Sequence, residues 1–153
     1  ILTSPVYVYH CTGSMKAWLD HYGYRWMLHR PNPDMFSKQG VCISTAAGAG
    51  TKWTNKDMAD SMFFWGMGKI YRYGTAVHAI NYKSISPEKM AEIEKATDKL
   101  AEKIRKNYGH VKPGLKTKTY FEVMRKLVKS GWNEVDVAYW KEHGWTEKDR
   151  PWK

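Results

Sequence analysis

Strand and helix patterns alternate along most of the chain, and this alternation is the feature that most constrains the fold. Short apolar runs at 1–4, 40–44 and 69–79 predict strands, and amphipathic stretches follow each of them. Consecutive strands separated by helices pair in parallel, through right-handed crossovers. The pattern therefore predicts an α/β protein in which every strand ends at the same edge of one sheet.

The expected helices begin at recognisable caps. Thr12 or Ser14 caps the first helix, which extends through Trp26. A capping box at 54–57 opens the second helix, and Gly74 marks a bulge in the third strand. Ser86 and Pro87 begin the most clearly amphipathic helix, which closes near Asn107. Two further helices are expected beyond Pro113 and from Asn133 to about His143.

Composition limits the class of protein. The chain has 153 residues, 42% apolar and 26% charged, which is typical of one folded domain and excludes a disordered or collagen-like chain. Lys and Arg exceed Asp and Glu by 25 to 15, and the resulting charge of +10 favours anionic ligands. Two cysteines exclude a disulfide scaffold and a four-cysteine zinc site. Without an apolar run long enough to span a bilayer, we expect a cytoplasmic protein.

Two loops at the carboxyl edge of the sheet are the candidate site, because ligands of such folds bind there. The loop after the second strand contains only small residues from Thr45 through Ala46, Ala47, Gly48 and Ala49 to Gly50. Such a loop lets the backbone approach a planar ligand and offer N–H groups. An ordinary turn would have the same composition. The loop after the first strand provides an apolar and aromatic wall from Pro5 to His10.

The motifs around both loops resemble a known family. Ser4-Pro5-Val6-Tyr7, followed by 13–20, is similar to the third strand, ring-binding loop and next helix of flavodoxin-like NAD(P)H-dependent oxidoreductases, the FMN-reductase and multimeric-flavodoxin group. The strand 40–45 with the loop 46–50 is similar to the fourth strand and second FMN-contacting loop of that group. The resemblance covers roughly residues 1–107.

The resemblance implies a three-layer α/β/α flavodoxin-like fold with FMN bound at the carboxyl ends of the strands. Carried over by position, the flavin-binding residues are Ser4, Pro5, Val6, Tyr7, Val8, His10, Thr45, Ala46, Ala47, Gly48, Ala49 and Gly50. NAD(P)H is the implied electron donor, and a small molecule such as a quinone is the implied acceptor. No side chain is assigned as an acid or base.

The sequence departs from the family pattern at its start. The first strand and phosphate-binding loop of the family have no counterpart before Ile1, so we expect that an N-terminal portion is missing or supplied by a partner. An unpaired edge at the strand 1–4 favours a homo-oligomer, such as a dimer. We divide the chain into a flavodoxin-like domain at 1–110 and a helical extension at 111–153. That extension is expected to cover apolar surface, to form a lid over the site or to bind a partner.

Other residues and patterns in the sequence suggest alternative functions. Cys11, beside His10 and near a helix N-terminus, has the setting of a low-pKa nucleophile, although a structural thiol is the simpler interpretation. The histidines show no ligand spacing, so no metal site is predicted. Aromatic residues with a basic surface occur in nucleic-acid-binding proteins, but here they fall on apolar helix faces and predict a core instead. The other function considered is a non-catalytic flavodoxin-like remnant that acts through protein association.

Overall fold

The computed structural model describes residues 1–153 and contains three strands and five α-helices. In chain order, the elements are β1 (Leu2–Pro5), α1 (Gly13–His21), β2 (Gln39–Ala46), α2 (Thr51–Phe64), β3 (Lys69–Ala76), α3 (Pro87–Asn107), α4 (Leu115–Lys129) and α5 (Glu134–Glu142). Short 3₁₀ turns lie at Gly23–Arg25, Pro33–Ser37 and Tyr82–Ser84. No helix is both long and apolar enough to cross a membrane.

The three strands form one parallel sheet in the order β1-β2-β3. The central strand places Ser44 opposite Ser4 of β1 and Gly74 of β3. All three strands therefore end at one edge, and the loops that follow them meet there. This confirms the predicted flavodoxin-like α/β fold.

Helices lie on both faces of the sheet. Cys42, Met58 and Met62 belong to a buried core between the sheet, α1 and α2. Side chains alternate between faces along a strand, so Gln39 and Tyr71 lie on the opposite face. There the end of α3 is attached, because the Gln39 side chain donates to the Ile104 carbonyl at 3.0 Å and the Tyr71 hydroxyl donates to the Lys103 carbonyl at 3.3 Å.

Two predicted helix boundaries are wrong. The first helix was predicted to extend through Trp26, but it ends at His21. A 3₁₀ turn at Gly23–Arg25 follows it. The second helix begins at Thr51, capped by Gly50, so the expected capping box at 54–57 lies inside the helix. The hydroxyl of Thr54 instead donates to the Gly50 carbonyl one turn earlier, at 3.3 Å.

The predicted bulge at Gly74 is also wrong. Gly74 pairs in regular register with Ser44, and β3 ends at Ala76 and not at 79. A Cβ atom at Gly74 would lie 2.6 Å from Cβ of Thr51. The glycine is therefore required by the close approach of α2 to the sheet.

The helical extension packs on a second core. Phe121, Val128 and Trp140 of α4 and α5 surround Met27 and Phe36, which lie between α1 and β2. Because Phe36 precedes β2, this core lies at the amino ends of the strands, away from the loops after β1 and β2. The extension covers apolar surface, which confirms one of the three expectations for it. The expectation that it forms a lid over this chain's own loops is wrong. The division at 110 stays a prediction.

A buried carboxylate joins the two parts of the molecule. Asp136 of α5 is 2% exposed, and its oxygens lie 2.8 Å from Nδ1 of His29 and 3.4 Å from Nε of Arg30. The Trp140 indole donates to the His29 carbonyl at 2.6 Å. These contacts stabilise the docked position of α5 against the segment after α1.

Candidate functional site

The loops after the three strands lie side by side at the carboxyl edge of the sheet. The Val6 amide donates to the Thr45 carbonyl at 2.9 Å and so continues the pairing of β1 with β2. The amides of Val77 and His78 donate to the carbonyls of Ala46 and Ala47 at 2.9 and 3.2 Å. The predicted loops 5–10 and 45–50 are therefore adjacent, with the chain after β3 at the far side of the second loop.

The loop after β1 is a tight reversal with an unusual backbone. The amides and carbonyls of Tyr7 and His10 exchange two hydrogen bonds of 3.0 Å. Between them, Val8 and Tyr9 have φ angles of 48° and 67°, in the left-handed region that β-branched and aromatic residues seldom adopt. Strained backbone of this kind is concentrated at functional sites. Val8 is 90% exposed, so the strained turn presents an apolar side chain to solvent.

Side chains of α2 fix this reversal in place. One oxygen of Asp57 accepts from the Cys11 amide at 3.1 Å and lies 3.0 Å from Nδ1 of His10. One turn earlier, the Thr54 hydroxyl lies 3.4 Å from the Tyr9 carbonyl. Sequence reasoning missed Asp57, because the residue was assigned to a helix cap. Only the spacing of Thr54 and Asp57 on one helix face indicates a shared role, and that spacing is common.

The loop after β2 carries a run of unused donors. The amides of Ala47, Gly48, Ala49 and Gly50 donate to no acceptor in the protein. Ala47, Gly48 and Ala49 are exposed. Backbone N–H groups seldom stay without partners unless water or a ligand satisfies them. The loop also precedes the N-terminus of α2, whose dipole favours negative charge on a ligand.

The two loops touch at Gly50. Its φ is 103°, and a Cβ atom there would lie 2.5 Å from a methyl group of Val6 and 3.1 Å from Cα of Tyr9. A side chain at 50 would push the loops apart. The geometry brings the exposed wall of the first loop against the backbone donors of the second.

The predicted site residues divide into supporting and accessible groups. Ser4 and Ala46 are buried, and the Ser4 hydroxyl donates to the Pro5 carbonyl and accepts from the Thr12 amide at 2.8 and 3.1 Å. Their side chains therefore support the loops from beneath. The exposed members are Pro5, Tyr7, Val8, His10, Thr45, Ala47, Gly48 and Ala49, with Val6 and Gly50 half-buried.

The two thiols are poor nucleophiles. Burial, followed by the nearby charge of Asp57, raises the pKa of Cys11 above its usual value. Burial raises the pKa of Cys42 to about 11. The alternative that Cys11 is a low-pKa nucleophile is wrong, because the group beside it is a carboxylate that opposes thiolate formation.

The residues at this edge fit a flavin ring. A flavin needs an apolar surface against its ring and donors toward its polar edge. The exposed reversal at 7–9 supplies the apolar surface, and the free amides at 47–50 supply the donors. Fold and edge together define the flavodoxin-like class of α/β proteins.

Comparison with known families identifies the group more closely. The sequence model of the family described as NADPH-dependent FMN reductase matches residues 1–81, which include both loops. The chain belongs to this family. Membership implies the use of FMN and NADPH. No curated protein matches the chain.

Proposed function

We propose that the chain binds the FMN ring between the loops 5–10 and 45–50 and acts as an NAD(P)H-dependent flavin oxidoreductase. Electrons pass to a small-molecule acceptor such as a quinone. The observation that carries this proposal is the run of four unused amides at 47–50, beside an exposed apolar reversal. Family membership supports FMN as the ligand.

In this proposal the role of the protein is to bind the flavin and to orient it. When bound, the flavin supplies the redox chemistry, accepting a hydride and releasing electrons. The amides of 47–50 donate to the polar edge of the ring, and Val8 and Tyr7 cover its apolar part. Asp57 and Thr54 hold the reversal so that this surface keeps its shape without a ligand. Rigid support of this kind lowers the entropic cost of binding.

The first experiment is a titration of FMN with the purified chain, followed by quenching of flavin fluorescence and by the visible spectrum. Saturable binding, and bleaching of the bound flavin by NADPH or NADH without oxygen, is the expected result. Reoxidation by an added quinone tests the acceptor class. Binding that never saturates contradicts the proposed site.

A substitution and its matched control test whether FMN binds at the loop 45–50. Gly48→Leu places a bulky side chain where the amides face solvent, and we expect FMN affinity to fall by tenfold or more, as for about 1.4 kcal/mol of lost binding. Gly114→Leu is the control, since a Cβ there also meets nothing within 4 Å and the residue lies before α4, outside the site. Equal affinities of the two variants contradict the role of the loop.

The second candidate is a non-catalytic protein that acts through association. It is favoured by β1, which pairs with β2 on one side only and leaves its other edge open for a strand from another chain. A chain that forms oligomers through this edge, and neither binds FMN nor oxidises NADPH, would have this function. The titration and the oligomeric state together distinguish the two candidates.

A further inference from the structure

A separate pocket lies at the opposite end of α1 from the proposed flavin site. It has a volume of about 220 Å³ and is lined by Trp18, Tyr22, Arg25, Asn32, Met35 and Trp65. The nine residues of α1 span about 13 Å at the usual helical rise. Because α1 begins just after the first loop and the pocket is lined from Trp18 onward, at the other end of the helix, the two sites are distinct.

Three aromatic rings form the walls of the pocket. The Trp18 ring lies 4.9 Å from Tyr22 and 5.8 Å from Trp65, the latter at an interplanar angle of 85°. The Trp65 indole donates to the Tyr22 carbonyl at 3.1 Å, which fixes its ring. Trp65 is buried, whereas Trp18 is 44% exposed. The pocket therefore has a fixed aromatic floor and an open aromatic side that suit a planar ring.

The polar groups of the pocket are donors. The Arg25 side chain forms no ion pair: its Nη1 donates to the Arg30 carbonyl at 3.3 Å, and its guanidinium carbon lies 5.0 Å from the centre of the Tyr24 ring. The Asn32 side-chain oxygen accepts from the Asp34 amide at 2.9 Å, so its NH₂ group stays free to donate. Asn32 and Asp34 are both exposed, but only Asn32 lines the pocket.

These features select the charge of the ligand. The positive charge of Arg25 repels cations, which three aromatic walls would otherwise attract. A neutral apolar molecule would cover the guanidinium and the amide without pairing them, and that is unfavourable. A carboxylate accepts hydrogen bonds from both groups, and arginine binds it with matching geometry.

We propose that this pocket binds a small aromatic carboxylate, one six-membered ring with the acid on a short linker. The ring packs against the faces of Trp18 and Trp65, whose own rings meet edge to face, and the carboxylate contacts Arg25 and Asn32. The size agrees, since an apolar cavity of about 150 Å³ is enough to hold benzene. The remaining volume accommodates the acid group.

The test uses para-fluorophenylacetate as the probe and para-fluorophenylacetamide as its uncharged match, each titrated into the whole chain and followed by fluorine NMR. We expect saturable binding of the acid and much weaker binding of the amide. Arg25→Gln should weaken the acid about tenfold to a hundredfold, the usual effect of losing a hydrogen bond to a charged group. Arg25→Lys should restore part of the affinity. Arg105→Gln, which removes the same charge from the exposed end of α3, should change nothing.

Four results of the binding experiments would overturn the proposal. In the titrations, the acid would fail to bind saturably, the acid and the amide would bind equally, or the Arg25→Gln variant would bind the acid as tightly as the unmodified chain does. In a competition experiment, FMN would displace the acid. A dimer that Trp18→Ala dissociates would instead assign the pocket to a second copy of the chain. Circular dichroism of each variant verifies folding, and because Arg25→Lys retains the charge, its affinity separates loss of binding from loss of structure.

Discussion

Replacing Val8 by asparagine should stabilise the protein while weakening the proposed flavin site. Val8 has a φ of 48°, and the left-handed conformation costs a non-glycine residue about 1–2 kcal/mol. Asparagine adopts this conformation far more readily than a β-branched residue. The side chain is 90% exposed, so its removal sacrifices almost no buried apolar area. The expected gain is therefore about 1 kcal/mol, or about 2–4 °C in Tm for a chain of this size.

The assay is urea denaturation and thermal melting of Val8→Asn beside the control Ile80→Asn. Ile80 is also β-branched and fully exposed, but its φ is not positive, so its replacement should leave stability within about 0.5 kcal/mol. In the FMN titration, Val8→Asn should lower affinity about tenfold, as expected for an apolar side chain buried by a ligand. A destabilised Val8→Asn protein, or one that matches Ile80→Asn, would refute the reasoning about strain. Unchanged FMN affinity would remove Val8 from the site.

Three further outcomes are expected. Gly50→Ala should destabilise the chain by at least about 1–2 kcal/mol in urea denaturation, because its φ of 103° and the 2.5 Å approach of a neighbouring methyl group exclude a Cβ; Gly48→Ala, in open space, should be neutral. Partial burial alone would raise the pKa of Glu122, but hydrogen bonds from two arginines hold it below the usual 4.5. Its contribution to stability is therefore present above about pH 4.5 and lost as pH falls through its folded value, so the Tm difference from Glu122→Gln should shrink on acidification. Burial raises the pKa of Cys11 and Cys42, so native protein should resist alkylation by iodoacetamide at neutral pH and unfolded protein should react at both, as followed by mass spectrometry.

The strand–helix alternation predicted the sheet correctly, because hydrophobic periodicity reflects burial, and burial is what the fold requires. The cap at Ser86 and the later helices were found for the same reason, since caps and amphipathic faces are local signals. The sequence did not predict the helix starts that are determined by tertiary contacts. Thr54 looks like a cap in isolation, but the helix is already capped by Gly50, at a point where the first loop leaves no space for a side chain.

The candidate loops follow from topology, but the details that make them a site do not. Parallel strands bring 5–10 and 45–50 to one edge, and this much was predictable. The left-handed turn at Val8 and Tyr9 has none of the glycine or asparagine that normally predicts it. The pairing of His10 with Asp57 joins residues 47 positions apart, and no single sequence reveals such a contact.

The strain at the reversal persists because contacts from two directions determine it. Pairing of Val6 with Thr45 sets where the chain leaves the sheet, and the bond from Cys11 to Asp57 sets where it must enter α1. Only a tight turn joins these two points, so Val8 and Tyr9 adopt it despite their side chains. Relief of that strain cannot open the loop while both anchors hold. The exposed apolar surface is thus a consequence of the anchors, and Asp57, which lies beneath the wall and not in it, controls the shape of the site.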